Sequence, residues 1–376
     1  MLRLVLLIFL FLVSLLTVFK APAYYLWLLA IIVTEYSWVL ICITILILVS
    51  GVWIDRYKIG GTVIGILALL LLISPLVRAY AVAARMKNDM QTALGNGKAL
   101  IFPRQRKPLS VGRLFQKAIV IPSRSLTYIR YPGTALDLDF YPAQTRVKRP
   151  CVIVIHGGSW SSGDSKQLPE LNSYLSSIGY QVASINYRLS PQYKAPAAIE
   201  DVHNTLKYLK SHADSLQIDT NSFVLLGRSA GAQIAMLAAY TLHDTGIKAV
   251  IDFYGPADMV WGYSVPANPW VMNSRLVMER YLGGSYNAIP KKYAASSPIE
   301  FVNQQTVPTL IIHGGNDVLV AYEHSTRLNV KLQQYGIKHY WLQLPWATHG
   351  FDYNINGPGG QLSTYAVESF LKSCLQ

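Results

Sequence analysis

The sequence predicts an α/β fold, a mostly parallel sheet flanked by helices, preceded by N-terminal transmembrane helices. Three observations carry this. Before Arg78 the only charged residues are Arg3, Lys20, Glu35, Asp55, Arg56 and Lys58. From about residue 120 to the C-terminus, short strand-like runs alternate with amphipathic helical ones, an order that calls for a parallel sheet covered on both faces. Within that region "LLGRSAGAQ" sets Ser229 between glycines, where an apolar strand gives way to a helix.

The front comes first. "LVLLIFLFLVSLLTVF", "YSWVLICITILILVSGVW" and "IGGTVIGILALLLLISPLV" each approach the roughly 20 residues a helix needs to cross a bilayer. Helices are the expected form because lipid offers the backbone no partners. A cleaved signal peptide would end in a small-residue site before a polar chain, and here more apolar sequence follows. Residues 1–80 therefore read as a membrane anchor of about three transmembrane helices. "AYYLWLLAIIV" is too short to span alone and extends the first or the second.

Residues 81–120 read as a basic juxtamembrane linker. Arg78, Arg85, Lys87, Lys98, Arg104, Arg106, Lys107, Arg113 and Lys117 stand against one acid, Asp89. Such a run is drawn to anionic headgroups by about 1 kcal/mol per residue, so membrane lipid is an expected partner. The positive-inside tendency turns the following domain to the cytoplasm, although Arg56 and Lys58 would then lie on the other side. A net charge of +13 also suits nucleic acid. The charge adjoins the apolar segments and no binding motif accompanies it, so no nucleic-acid partner is expected.

Residues 121–376 form the expected catalytic domain. "LTYIRY" and "ALDLDFYPA" alternate as an opening antiparallel pair. "PCVIVIHGG", "QVASINYRL", "SFVLLG", "KAVIDFYG", "TVPTLIIHGG" and "KHYWLQLP" read as further strands. Helices fall between them in "LPELNSYLSSIGY", "PAAIEDVHNTLKYLKSHADSL", "AGAQIAMLAAYTLH" and "EHSTRLNVKLQQYG", and "GQLSTYAVESFLKSCL" closes the chain. An insertion at about 257–297, rich in Trp, Tyr, Met and Pro, is a candidate lid or substrate wall. Cys42, Cys151 and Cys374 have neither disulfide nor metal-ligand spacing, so no metal is expected.

Gly227-Arg228-Ser229-Ala230-Gly231 fits G-x-S-x-G between a strand and a helix. A turn that tight raises the serine hydroxyl above the sheet at a helix N-terminus, and flanking glycines remove side chains that would collide. A serine nucleophile needs a base, and the base needs an acid. Asp317 and His349 follow later strands in the order serine, acid, histidine. Rival acids are Asp252, Asp258 and Asp352; rival histidines are His243, His313, His324 and His339. Asp317 is preferred because its strand should lie between those of the serine and the histidine. His349 is preferred because it follows the last strand and precedes Gly-Phe. Backbone donors for an oxyanion are expected at Gly158, Ser159 and Ala230. His156 is read as a structural anchor of its loop.

"HGGSWSSGD", "INYRLSP", "PAAIEDV", "GRSAGA", "SPIEFV", "HGGNDVLV" and "THGF" occur in this order. Together they resemble the α/β-hydrolase superfamily, in the group of hormone-sensitive-lipase-like carboxylesterases, feruloyl-esterase-like proteins and kynurenine formamidases. The resemblance covers about residue 125 to the end and implies the α/β-hydrolase fold, the Ser229-Asp317-His349 triad and no cofactor. Two positions depart from the lipase-like pattern: Ser159 stands where a third glycine is usual, and Arg228 where an acid is usual. Arg228 either tunes substrate charge or faces the body of the protein. The resemblance makes Asp201 a structural residue, here read as pairing locally.

The expected function is a membrane-anchored serine hydrolase that cleaves small-molecule or lipid carboxylic esters through an acyl-enzyme. The same machinery would serve an amidase of the formamidase kind. Plant isoprenylcysteine methylesterases also resemble this arrangement, which brings in lipidated substrates such as prenylcysteine methyl esters. A non-catalytic membrane scaffold on the same fold would be favoured by loss of a triad member, and none is lost. The triad lies wholly in the C-terminal domain, so a chain starting near residue 120 is expected to retain activity on small esters if it folds.

Overall fold

The computed structural model describes residues 1–53, 57–95, 99–103 and 107–375. Of the basic residues singled out above, Arg56, Lys98, Arg104 and Arg106 lie outside them. Four helices come first: α1 (Leu2–Ser14), α2 (Tyr24–Glu35), α3 (Ser37–Val49) and α4 (Lys58–Leu94). Then follow β1 (Arg124–Tyr131), β2 (Thr134–Tyr141), β3 (Arg149–Ile155), α5 (Pro169–Ser177), β4 (Gln181–Ile185), α6 (Ala197–Ser211), β5 (Ile218–Arg228), α7 (Ala230–Thr241) and β6 (Ile247–Phe253). The chain continues through α8 (Met259–Ser264), α9 (Ser274–Leu282), α10 (Pro290–Ala295), β7 (Thr309–Gly314), α11 (Glu323–Gln334), β8 (His339–Leu344) and α12 (Pro358–Cys374).

The eight strands form one sheet in the order β1-β2-β4-β3-β5-β6-β7-β8. β2 pairs antiparallel with both its neighbours, β1 and β4, and the remaining pairs are parallel. β3 and β5 to β7 are apolar runs buried on both faces, which is what a parallel sheet under two helical layers requires. The order places β7 and β8 on the same side of β5, so the loops after all three strands meet at one sheet edge.

The N-terminal helices do not form the expected three or so transmembrane helices. Only α4 is long and apolar enough by itself to cross a membrane among the described residues. α1 has 13 residues before a short 3-10 turn, and α2 and α3 are bent by 81° to one another. The bend falls between Glu35 and Ser37, and α2 turns away onto the catalytic domain. There the Glu35 side chain accepts the Gly359 amide at 2.9 Å, capping the start of α12, and the Glu35 carbonyl accepts from Asn354. A run of apolar residues cannot tell a core-facing helix from a lipid-facing one, which is why α2 read as part of a span.

α1, α3 and the first half of α4 lie side by side. The Arg3 guanidinium donates to the Ile47 carbonyl and to Thr62, tying the start of α1 to the end of α3 and the start of α4. At the other end Thr17 donates to the Leu71 carbonyl at 3.1 Å. α1 and α4 are thus parallel and α3 antiparallel to both.

α4 runs unbroken through residue 80, across the expected boundary between anchor and linker. Its second half packs on β8 and α12, burying Ala79, Val82, Met86, Met90 and Leu94 in the core beneath the sheet. A chain starting near residue 120 would lack α4 and leave that face of β8 and α12 bare. Met86→Ala should cost about 2–5 kcal/mol through lost burial and the cavity left behind. It should lower the thermal-unfolding midpoint of the purified chain by roughly 3–6 °C. A shift under about 2 °C would mean that α4 does not share the core.

Candidate active site

Ser229 caps α7 at the end of β5 with φ 53° and ψ −120°, a conformation that a side chain adopts only when its surroundings impose it. The surroundings do. A Cβ on Gly227 would come within 2.2 Å of the Gly231 carbonyl, and one on Gly231 within 2.2 Å of the Ile155 carbonyl. The Ser229 amide donates to the Phe253 carbonyl at 2.8 Å, fixing the turn to β6. The serine therefore sits over the positive end of α7.

Asp317 lies in the turn after β7, fully buried. Its Oδ1 accepts the Leu319 and Val320 amides at 2.8 and 2.9 Å. Its Oδ2 lies 2.7 Å from His349 Nδ1. Burial opposes its ionisation, but the adjacent His349 and His313 outweigh burial and hold the carboxyl well below the usual carboxylate range. His349 stands in the loop after β8, its ring 4.4 Å from that of Tyr254. Ser229 and Asp317 line one cavity of about 420 Å³, together with Ser159 and Ala230.

The rival acids are engaged elsewhere. Asp252 accepts the Gly255 amide, and burial pushes its carboxyl up to about 7. Asp258 caps α8 and pairs with Arg327. Asp352 accepts from Arg228 Nε at 2.6 Å and from the Tyr254 hydroxyl. That pair answers the question raised by Arg228: its side chain is buried against the body of the protein, away from the cavity. Arg228→Met would strand a buried carboxylate, costing about 3–5 kcal/mol in a denaturation titration. Adding Asp352→Leu should recover part of it; if both variants are as stable as wild type, the pair is not energetically coupled to the fold.

The amides of Gly158, Ser159 and Ala230 donate to no acceptor among the described residues. Gly158, Ser159 and Trp160 all have positive φ, and a Cβ on Gly158 would come within 2.1 Å of the Ser162 carbonyl. Two left-handed non-glycine residues in succession hold the loop in a strained shape. The Trp160 indole pins it by donating to Gln233 at 2.9 Å and stacking on Tyr281. His156 contacts the Gly157 carbonyl through Nδ1 and stacks on Tyr187, and burial lowers its pKa. Asp201 does not pair locally: it takes Arg188, from beyond β4, and the Tyr131 hydroxyl of β1, joining distant elements.

Three residues take parts that were not anticipated, His313 having been weighed only as a rival histidine. His313 places Nε2 3.2 Å from Asp317 Oδ2, while its Nδ1 faces Ser325 Oγ at 2.6 Å. Its position four residues before Asp317 was the available signal. Tyr254, with φ 47°, links His349 to the Asp352–Arg228 pair, and no sequence pattern marks it. Trp27 of α2 donates from its indole to the His349 carbonyl at 3.0 Å.

Residues 136–332 match the BD-FAE family model. Among curated proteins, the chain is 28% identical to esterase LipC of Mycobacterium tuberculosis over 71% of its own length and 68% of that protein's. It is 28% identical to LipM, a probable carboxylic ester hydrolase of the same organism, over 59% of the chain and 54% of that protein. The chain thus spans about two thirds of the first relative and about half of the second. Among solved structures, the carboxylesterase EstE1 from a metagenomic library superposes with a TM-score of 0.60 at 19% identity, covering 81% of this chain and 98% of that one. Esterase Est2 of Thermogutta terrifontis gives 0.55 at 20% identity, covering 65% and 90%. With that match over more than half of its length, on an eight-stranded sheet shared with these esterases, the chain belongs to the BD-FAE family within the α/β-hydrolase superfamily.

Proposed function

We propose that the chain, a carboxylic ester hydrolase by its family and relatives, works through Ser229, His349 and Asp317 from a membrane-bound position. Ser229 Oγ attacks the ester carbonyl while His349 Nε2 takes its proton. The amides of Gly158, Ser159 and Ala230 receive the negative charge on the carbonyl oxygen. One such donor can contribute roughly 3–4 kcal/mol in the transition state. The tetrahedral intermediate collapses, the alcohol leaves with the proton from His349, and Ser229 retains the acyl group. Water then repeats the sequence and releases the acid. Asp317 stays ionised, holds His349 Nδ1–H and stabilises the imidazolium.

The single observation that carries this reading is the 2.7 Å contact between Asp317 and His349, made at the sheet edge where the strained Ser229 stands. The cavity beside Ser229 is lined mainly by Val, Pro, Ala, Met and Leu, which suits an apolar acyl or alcohol group. Membrane insertion is supported by the length of α4 and by the outward Leu, Ile, Val and Phe side chains of α1, α3 and the first half of α4. The test is hydrolysis of p-nitrophenyl butyrate by the purified full-length chain in detergent. Saturable turnover lost on reaction with a fluorophosphonate is expected; no turnover on any short ester would remove the catalytic reading.

A further inference from the structure

The cavity beside Ser229 is closed partly by the N-terminal unit. Lys20, Ala21 and Pro22, from the connection between α1 and α2, line it opposite Val265, Met272 and Val277 of the insertion. The two segments are joined: the Tyr24 amide donates to the Trp270 carbonyl at 3.1 Å, and Asn268 donates to the Pro22 carbonyl.

The level of that connection along α4 is defined. Thr17, just before it, contacts Leu71, and its carbonyl accepts from Arg78. Between Lys58 and Arg78, α4 carries no charged residue, and Ile59, Val63, Ile66, Leu67, Leu70 and Val77 face outward. Those nineteen residues rise about 28 Å, close to the thickness of a bilayer's hydrocarbon core. Beyond Arg78 the helix buries its side chains in the catalytic domain. Leu71–Arg78 therefore marks the level where an apolar exterior ends and the domain begins, and the connection lies there. Around it Phe19, Tyr25 and Trp270 are 63%, 82% and 80% exposed beside the exposed Lys20. Aromatic rings and a cation at the end of an apolar helix bundle are the composition of a membrane–water interface.

We infer that the mouth of the cavity, at Lys20, sits in the headgroup layer of the bilayer that holds α4, with the exposed Phe19, Tyr25 and Trp270 embedded outside it, so that the ester reaches Ser229 from the membrane. The inference rests on the reading of Ser229 as nucleophile. The substrate class is a lipid ester that leaves its apolar chain toward the bilayer and presents its carbonyl to Ser229. Lys20 stands at the mouth, where an anionic headgroup would pass.

Two measurements test it on the full-length chain in phosphatidylcholine–phosphatidylglycerol vesicles. The first compares Phe19→Asp/Tyr25→Asp with wild type on p-nitrophenyl butyrate and on a fluorogenic long-chain ester held in the bilayer. The expected result is a rate within about twofold on the soluble ester and at least tenfold lower on the bilayer ester. An equal effect on both esters overturns the inference. No turnover by wild type on either ester instead overturns the reading of Ser229. The second uses phosphatidylcholine brominated near the headgroup and subtracts the emission of Trp270→Phe from that of wild type. Strong quenching of the Trp270 component is expected. An unquenched component overturns the inference, as does one protected only in a dimer, which would assign that surface to a second copy of the chain.

Discussion

Ser229→Ala should lower kcat on a short soluble ester by about 10⁴–10⁶-fold with little change in KM. The serine hydroxyl is the atom proposed to bond to substrate, and no other hydroxyl occupies the strained turn between β5 and α7. Alanine adopts the same backbone only under the same constraints, and these come from Gly227, Gly231 and the Ser229 amide bond to Phe253, none of which the substitution touches. The fold should therefore survive. A residual rate of about 10³–10⁴ over water should persist, because the substitution leaves the proposed oxyanion donors, the amides of Gly158, Ser159 and Ala230, in place. The check is a kcat and KM determination beside a circular-dichroism melt. A loss smaller than about 100-fold with an intact fold would move the nucleophile elsewhere.

Asp317→Asn should lower kcat by about 10⁴-fold, because an amide no longer holds the His349 tautomer that can accept the serine proton. Asp252→Asn is the matched control and should change kcat by less than about threefold, since Asp252 bonds the Gly255 amide and not a histidine. The two carboxylates also differ in their pH linkage. Asp317 is depressed in the folded chain, so it stabilises the fold above its unfolded pKa of about 4 and loses that contribution as pH falls through its folded value. Asp252 is raised to about 7, so its contribution is fully present below about pH 4 and disappears as pH rises through 7. Urea denaturation at pH 3, 5 and 8 reads both. Asp317→Asn should fall furthest behind wild type at pH 8, with the gap narrowing toward pH 3. Asp252→Asn should gain on wild type from pH 5 to pH 8. Loss of activity in Asp252→Asn with Asp317→Asn fully active would exchange their roles.

The strands were legible because a parallel sheet under two layers of helix demands apolar runs of strand length, and each sits between turn-forming residues. Ser229 was legible because a strand-to-helix turn this tight tolerates few residue types on either side. Strand order alone did not separate Asp317 from Asp252, since β6 and β7 both lie between β5 and β8; contact does, with Asp317 against His349 and Asp252 on the Gly255 amide. Arg228 was not legible: the sequence offers no sign that Asp352, 124 positions away, would meet it. The N-terminal helices were half legible. Hydropathy marked α2 as apolar, but the same property serves lipid and protein core alike. It concealed Trp27, whose indole reaches the His349 carbonyl, and Glu35, which caps α12. For the same reason the second half of α4 read as a linker, when its spacing of Ala79, Val82, Met86 and Met90 forms a stripe against β8 and α12.

The central claim is that Ser229 forms a covalent acyl bond. The full-length chain should be treated with a fluorophosphonate probe, digested, and mapped by tandem mass spectrometry. A single adduct on the Ser229 hydroxyl is predicted, absent from Ser229→Ala and formed much more slowly in Asp317→Asn. An adduct on another residue of the wild type, or equal labelling of wild type and Ser229→Ala, would contradict it.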